Sequence, residues 1–261
     1  MPKLLFFDID GTLFDDKGNL PSSVKPALLK ARENGCLIFI NSGRTLCNID
    51  PRLKDLPIDG WSIGCGTMVL FKGETLVHKQ FDQRTSRIFP EICRNLNIPT
   101  VFECDDSIYF DPFFDDDKDI MKFREFARKF NISSDVNDER FRAVKMFCFS
   151  REEGKLQMLL DALKDNGTPF TAIDRGFGFE MVPEGYTKAT GTDVLRIHAG
   201  ASVSDCYAFG DSRNDLPMLE FVQNSVAMGN APDDVKSICR YVTLTAEEDG
   251  IKLILERLGL I

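Results

Sequence analysis

The stretch Asp8-Ile9-Asp10-Gly11-Thr12-Leu13 closes the short apolar run Leu4–Asp8 near the start of the chain. Such a run predicts a buried strand, and ligands of open parallel sheets collect at the carboxyl ends of strands. Two carboxylates at such an end repel each other unless a cation or a shared proton lies between them. Oxygen ligands favour Mg²⁺ over zinc, and the Gly11 and Thr12 N–H groups suit an anion. A surface Asp-x-Asp-Gly turn would show the same letters, so this stretch alone leaves both interpretations open.

The chain around this stretch alternates apolar runs with helical patterns. Val24–Asn34 has the apolar spacing of a helix, Leu37–Asn41 and Trp61–Cys65 read as strands, and Met68–Phe71 pairs with Thr75–Lys79 as a hairpin. This alternation predicts a parallel sheet with helices on its faces. A similar rhythm near the C-terminus predicts helices and strands over Thr190–Ala199, Asp205–Gly210, Leu216–Val222, Ser225–Met228, Tyr241–Leu244 and Gly250–Leu258.

Between these two regions the pattern changes to paired strands interspersed with helices. The predicted helices are Gln83–Asn97, Asp117–Phe130 and Glu152–Asp165, and the predicted strands are Thr100–Cys104, Ser107–Phe110, Arg142–Phe149, Pro169–Asp174 and Phe177–Val182, the last two joined by Arg175-Gly176. Paired strands with helices are typical of an α+β region with an antiparallel sheet. We therefore predict an α/β core domain formed by residues 1–82 and 184–261, interrupted by an inserted α+β domain at 83–183.

Two further motifs are ambiguous when taken singly. Asn41-Ser42-Gly43-Arg44-Thr45 ends an apolar run, where a hydroxyl followed by glycine suits a phosphate cradle, but an ordinary helix N-cap gives the same pattern. Gly185-Tyr186-Thr187-Lys188 places one lysine just before a predicted helix. By itself that lysine reads as a solvated surface charge.

A fourth motif, Phe209-Gly210-Asp211-Ser212-Arg213-Asn214-Asp215, again ends an apolar strand in acids. A helix N-cap explains one aspartate but not acidic clusters at two separate strand ends on the same expected edge of the sheet.

Together the four motifs resemble the haloacid dehalogenase superfamily of phosphohydrolases, and in particular its Cof-type branch. The resemblance covers Leu4–Phe71 and Glu184–Leu258 as a Rossmann-like core, with the intervening segment as an inserted α+β cap domain. It implies that the cap closes over the cleft, excludes water and selects the leaving group. The sequence departs from the branch's usual pattern at Cys65, Thr67 and the Ala189-Thr190-Gly191 that follows Lys188.

The resemblance also implies roles for the acids. Asp8 would attack phosphorus and form an aspartyl-phosphate, and Asp10 would protonate the leaving alcohol and then deprotonate the hydrolytic water. Mg²⁺ would be held by the Asp8 carboxylate, the Asp10 backbone carbonyl and Asp211, while Asp215 would orient a metal-bound water or Lys188.

The remaining motif residues would hold the phosphoryl oxygens, where negative charge must be neutralised: Ser42, the Gly43 backbone, Lys188 and Asn214. The expected activity is hydrolysis of small phosphomonoesters such as sugar phosphates, nucleotides or cofactor precursors. A second acid at Asp10 matches phosphatases and argues against the dehalogenases. A phosphomutase and a non-catalytic phosphoester-binding protein remain alternatives, although a pure binder has no need of Asp10 as an acid.

Composition excludes several other classes of protein. With 32 basic and 41 acidic residues in 261, the net charge of −9 disfavours binding to nucleic acid. We see no apolar run long enough to span a membrane and no signal peptide at the start. The eight cysteines form no C-x-x-C pair, which disfavours zinc and predicts reduced, mostly buried thiols. The expected location is the cytoplasm.

Overall fold

The computed structural model describes residues 1–130, 133–150, 152, 154–175 and 178–261, and these divide into two compact units. The first unit comprises residues 1–43, 51–78 and 187–261, and the second comprises 44–50 and 79–186. Residues 44–50 therefore group with the inserted region, although they follow directly on the strand that ends at Asn41.

The first unit is built on an eight-stranded sheet with the order β14-β13-β12-β1-β2-β3-β4-β5. All neighbouring pairs from β14 to β3 are parallel, and β4 and β5 are added antiparallel. The strands are β1 (Leu4–Phe7), β2 (Leu37–Asn41), β3 (Gly60–Ile63), β4 (Met68–Phe71), β5 (Glu74–His78), β12 (Cys206–Gly210), β13 (Asn224–Ala227) and β14 (Tyr241–Val242).

Apolar packing explains why the central strands are continuous runs of large side chains. All four residues of β1 are buried, and the Phe7 ring stacks on Phe209 of β12 with centroids 4.4 Å apart. Strands covered on both faces need no polar alternation. The helices of this unit are α1 (Val24–Glu33), α5 (Lys188–His198), α6 (Leu216–Phe221), α7 (Asp233–Ile238) and α8 (Gly250–Arg257).

The second unit is a six-stranded sheet with the order β10-β11-β9-β6-β7-β8, antiparallel except between β7 and β8. Its strands are β6 (Thr100–Glu103), β7 (Ile108–Phe110), β8 (Ser134–Asp135), β9 (Lys145–Phe149), β10 (Phe170–Asp174) and β11 (Gly178–Pro183), and its helices are α2 (Gln83–Leu96), α3 (Lys118–Ala127) and α4 (Lys155–Asp165). The predicted fold class, a parallel α/β region with an inserted antiparallel α+β region, is confirmed.

Several predicted boundaries were wrong. The helix predicted from Thr190 begins at Lys188, because the Thr187 side chain caps it in a reciprocal pair with Thr190. The helix predicted to Phe130 ends at Ala127 and continues as a 3₁₀ turn. The two shortest elements, α7 and β8, were missed, since their six and two residues are too few to show a period. Of the predicted residues, Glu153, Gly176 and Phe177 lie outside the described part of the chain.

Candidate active site

The two acidic motifs meet because their strands are neighbours. Strand β1 pairs in parallel with β12, with Phe7 opposite Phe209, and the Asp8 backbone N–H donates to the Phe209 carbonyl at 3.0 Å. Asp8 and Asp211 therefore leave the same edge of the sheet from adjacent strands. The predicted convergence of the acidic motifs at one sheet edge is confirmed.

Lys188 joins these acids from the first turn of α5. Its Nζ lies 2.7 Å from Asp8 Oδ1 and 2.5 Å from Asp215 Oδ1, and its side chain is fully buried. A buried ammonium needs paired carboxylates to offset its lost hydration. The single-motif interpretation of Lys188 as a solvated surface charge is therefore wrong.

Three carboxylates surround this ammonium. One oxygen each from Asp8, Asp211 and Asp215 lies within 4.8 Å of the other two. Asp215 is anchored further by the backbone N–H groups of Asp211 and Ser212, each donating to Oδ2 at 3.0 Å. With one lysine against three aspartates, the cluster carries an excess of two negative charges when all four groups are ionised.

The pKa values show the cost of that excess. Burial raises the pKa of Asp8 to about 7 against the attraction of Lys188, and the charges of Asp215 and Asp10 add to the rise. Burial, followed by the charges of Asp215 and Asp8, raises the pKa of Asp211 to about 8. Burial lowers the pKa of Lys188, but the charges of Asp215 and Asp8 outweigh it and raise that pKa above its ordinary value.

The donor set fits a hard divalent cation. Carboxylate oxygens with surplus negative charge are the ligands that such ions prefer. A further amide oxygen, Asn230 Oδ1, is buried and has no hydrogen-bond partner in the described part of the chain. The residues present therefore suit the divalent metal that the acidic motif predicts, and nothing in the donor set is specific for zinc.

Two glycines allow the acids to approach this closely. Gly11 has φ +78°, and a Cβ built on it would lie 2.3 Å from Asp211 Oδ2. A Cβ on Gly210 would lie 2.6 Å from the Asp215 carboxyl carbon. Any larger residue at either position would displace one of the carboxylates.

The other predicted site residues occupy distinct places in the first unit. Asp10 is exposed and bridges to Phe14. Ser42 is buried directly after β2, and its backbone N–H donates to the Ser62 carbonyl at 2.8 Å. Gly43 follows as the last residue before the chain passes into the second unit. Asn214 lies in a 3₁₀ turn, where its Oδ1 accepts from the Ser212 hydroxyl at 2.6 Å.

Sequence reasoning missed Asn41. This fully buried residue donates through Nδ2 to the Lys188 carbonyl at 2.8 Å, and its Oδ1 accepts from the Ser62 hydroxyl at 3.0 Å. It thus ties the end of β2 to the first residue of α5. An asparagine closing an otherwise apolar strand was the available signal, because a buried amide must find partners.

Comparison with known proteins places the chain in a family. It belongs to the haloacid dehalogenase-like hydrolase family, which matches residues 5–255. A Bacillus subtilis protein named 5-amino-6-(5-phospho-D-ribitylamino)uracil phosphatase YwtE is 26% identical, with 98% of each chain covered. The solved structure of a protein from Geobacillus kaustophilus has a TM-score of 0.84 at 28% identity over the full length of both chains.

A sugar phosphatase of subclass IIB in the same superfamily is also similar in structure. Its TM-score is 0.82 at 27% identity, covering 99% of this chain and 100% of that one. The predicted superfamily and its Cof-type branch are confirmed, and so is the enzyme class: the chain is a phosphoric monoester hydrolase. None of the helices in the described ranges is both long and apolar enough to cross a bilayer.

Proposed function

We propose that the protein is a Mg²⁺-dependent phosphatase that hydrolyses small phosphomonoesters through an aspartyl-phosphate. The observation that carries this proposal is the fully buried Lys188 ammonium held between Asp8 and Asp215, with Asp211 adding a third carboxylate. A purely structural ion pair needs no surplus acid, whereas a centre that neutralises a phosphoryl group through a cation does.

In this proposal Asp8 is the nucleophile. A carboxylate oxygen of Asp8 attacks phosphorus, the bond from phosphorus to the alcohol oxygen breaks, and Asp10 gives its proton to that oxygen. Asp10 then takes a proton from water, the water oxygen attacks phosphorus, and inorganic phosphate leaves as Asp8 is regenerated. The exposure of Asp10 suits both steps, since its proton must reach the leaving alcohol and later come from water.

Lys188 lets an anionic nucleophile approach an anionic phosphate. Its Nζ, 2.7 Å from Asp8 Oδ1, is close enough to contact a phosphoryl oxygen on the phosphorus that Asp8 attacks. Asp215 keeps the ammonium in place from the other side at 2.5 Å. The Ser42 hydroxyl, the Gly43 N–H and the Asn214 amide would supply the remaining donors to the phosphoryl oxygens.

Mg²⁺ would be held by the Asp8 carboxylate, the Asp10 backbone carbonyl and Asp211. Its chemistry there is charge neutralisation between the nucleophile and the phosphoryl group. Asp215 adds negative charge to this position while it anchors Lys188.

We propose small phosphorylated metabolites as substrates: sugar phosphates, nucleotides or cofactor precursors. Relatives named for a sugar phosphate and for a phosphoribitylamino-uracil support this range. We also propose that residues 1–82 and 184–261 form the catalytic domain and that 83–183 form a cap domain that selects the leaving group. A cytoplasmic location is supported by the eight cysteines, none of which forms a disulfide in the structure.

The test is phosphate release from a panel of small phosphomonoesters, with Mg²⁺ or with EDTA, beside an Asp8→Asn variant. We expect Mg²⁺-dependent turnover that the variant lacks, and the addition of one phosphoryl group at Asp8 by mass spectrometry during turnover. A phosphorylated isomer without free phosphate would indicate a mutase instead. Tight binding of an ester that the folded protein never cleaves would indicate a non-catalytic binding protein.

A further inference from the structure

A third strand end contributes to the acidic cluster through Asn230, which lies beyond the end of β13. The Asn230 Nδ2 donates to Asp211 Oδ2 at 3.3 Å and to the Gly11 carbonyl at 3.1 Å. One side chain thus joins the loop after β1 to the loop after β12. No sequence motif pointed to this residue.

The two oxygens of Asp211 are held by neutral groups. Thr12 Oγ1 donates to Oδ1 at 3.3 Å, and the Asn230 amide donates to Oδ2. Asp8 and Asp215 instead accept from the Lys188 ammonium. Asp211 is therefore the member of the cluster whose orientation depends on uncharged donors.

The direction of the Asn230 amide is set by these neighbours. Turning the amide over would place its oxygen against the Asp211 carboxylate and the Gly11 carbonyl, which are both acceptors. In the observed direction Oδ1 is buried without a donor in the described residues. The amide gives up a partner for its own oxygen in order to donate to Asp211 and Gly11.

We propose that Asn230 is a positioning residue for the cation site: its amide holds the Asp211 carboxylate against the Gly11 backbone in the orientation that binds the divalent cation. This inference rests on the proposed function. Ligand carboxylates are commonly held by such outer hydrogen bonds, and losing one weakens metal binding by about 10- to 100-fold.

The test compares Mg²⁺ binding to the full-length, EDTA-stripped wild type, Asn230→Leu and Asn224→Leu by isothermal titration calorimetry. Leucine approximates the shape of asparagine but donates nothing. Asn224 is a matched control, because its Nδ2 also donates to two carbonyls, those of Ser204 at 3.0 Å and Cys206 at 3.1 Å, and not to an acid of the cluster.

We expect the Mg²⁺ dissociation constant of Asn230→Leu to rise about 10- to 100-fold and that of Asn224→Leu to stay within about 3-fold of wild type. Phosphate release by Asn230→Leu should recover as Mg²⁺ is raised, since Asn230 touches neither the nucleophile nor Lys188. If Asn230→Leu does not fold, as judged by circular dichroism, Asn230→Ala takes its place.

Two results would overturn the inference in different ways. Wild-type affinity in the Asn230 variant, or an equal loss in the Asn224 control, would refute the positioning role and leave the proposed function standing. Absence of Mg²⁺ binding by the wild type would refute the cation site, and with it both the positioning role and the proposed mechanism.

Discussion

Each unit of the molecule buries one lysine between two carboxylates, but the two clusters are completed differently. In the second unit, Lys145 Nζ lies 2.9 Å from Glu103 Oε1 and 3.4 Å from Glu180 Oε1. The other Glu103 oxygen accepts from Thr45 and Asn48, and Arg175 approaches Glu180 Oε2 at 4.0 Å. Two acids there face two bases, whereas in the first unit three acids face Lys188 alone.

This difference separates a structural cluster from a reactive one. A buried cluster whose charges balance and whose oxygens all have donors is held in a single arrangement. A cluster with surplus negative charge is poised to take up a cation or a proton, which is what a phosphoryl-transfer site requires. Buried lysine–carboxylate pairs alone therefore do not identify an active site; the charge balance does.

The largest expected effect tests the reactive lysine. Lys188→Met should lower kcat for phosphate release by about 10³-fold at saturating Mg²⁺, because the phosphoryl group loses its buried cation. Steady-state kinetics on the best substrate of the panel measure this. Retention of more than about a tenth of wild-type kcat would show that Lys188 is only a structural partner of Asp8 and Asp215, as Lys145 is for its two glutamates.

The next effect tests the structural lysine. Lys145→Met leaves Glu103 and Glu180 buried without their shared cation and should lower the free energy of unfolding by about 3–5 kcal/mol. Urea denaturation measures the loss. Adding Glu103→Gln and Glu180→Gln should recover part of it, because amides tolerate burial better than unpaired carboxylates. If the triple variant is no more stable than Lys145→Met, unbalanced charge is not the cause.

A smaller effect concerns pH in the metal-free protein. The pKa values of Asp8 and Asp211 are raised to about 7 and about 8, so the folded state binds protons that the unfolded state has released. The free energy of unfolding should therefore fall as pH rises from about 4 to about 8, with Tm dropping by about 5 °C over that range. Calorimetric scans in EDTA measure the slope, and Asp211→Asn should flatten it. Equal slopes in the two proteins would contradict the assignment.

The smallest effect sets the scale for a pair near the surface. The hydrogen bond from Lys3 lowers the pKa of Asp205 to about 2, so this pair contributes stability above pH 4 that is lost as pH falls towards 2. Asp205→Asn should lower Tm by about 1 °C at pH 7, and the difference from wild type should narrow below pH 4. A loss as large as that of Lys145→Met would erase the distinction between surface and buried pairs.

Much of the fold was predictable because its signals are local. Apolar runs such as Leu37–Asn41 coincide with their strands, and the acids directly after β1 and β12 reach the same sheet edge through parallel pairing. The helix start at Lys188 was missed because the Thr187–Thr190 cap is weaker in sequence than the later apolar period. The short α7 was missed because only one of its six residues, Val235, is buried.

The sequence by itself determined which elements form and which chemical groups end the strands, since periodicity and strand-end acids act over a few neighbouring residues. Only the tertiary structure decided the state of Lys188, because the carboxylates that bury and pair it are 180 and 27 residues away. The same holds for Asn230, whose partners Gly11 and Asp211 lie 219 and 19 residues distant. Charge balance depends on every group that converges in space, and that sum is set by the packing of strands and loops.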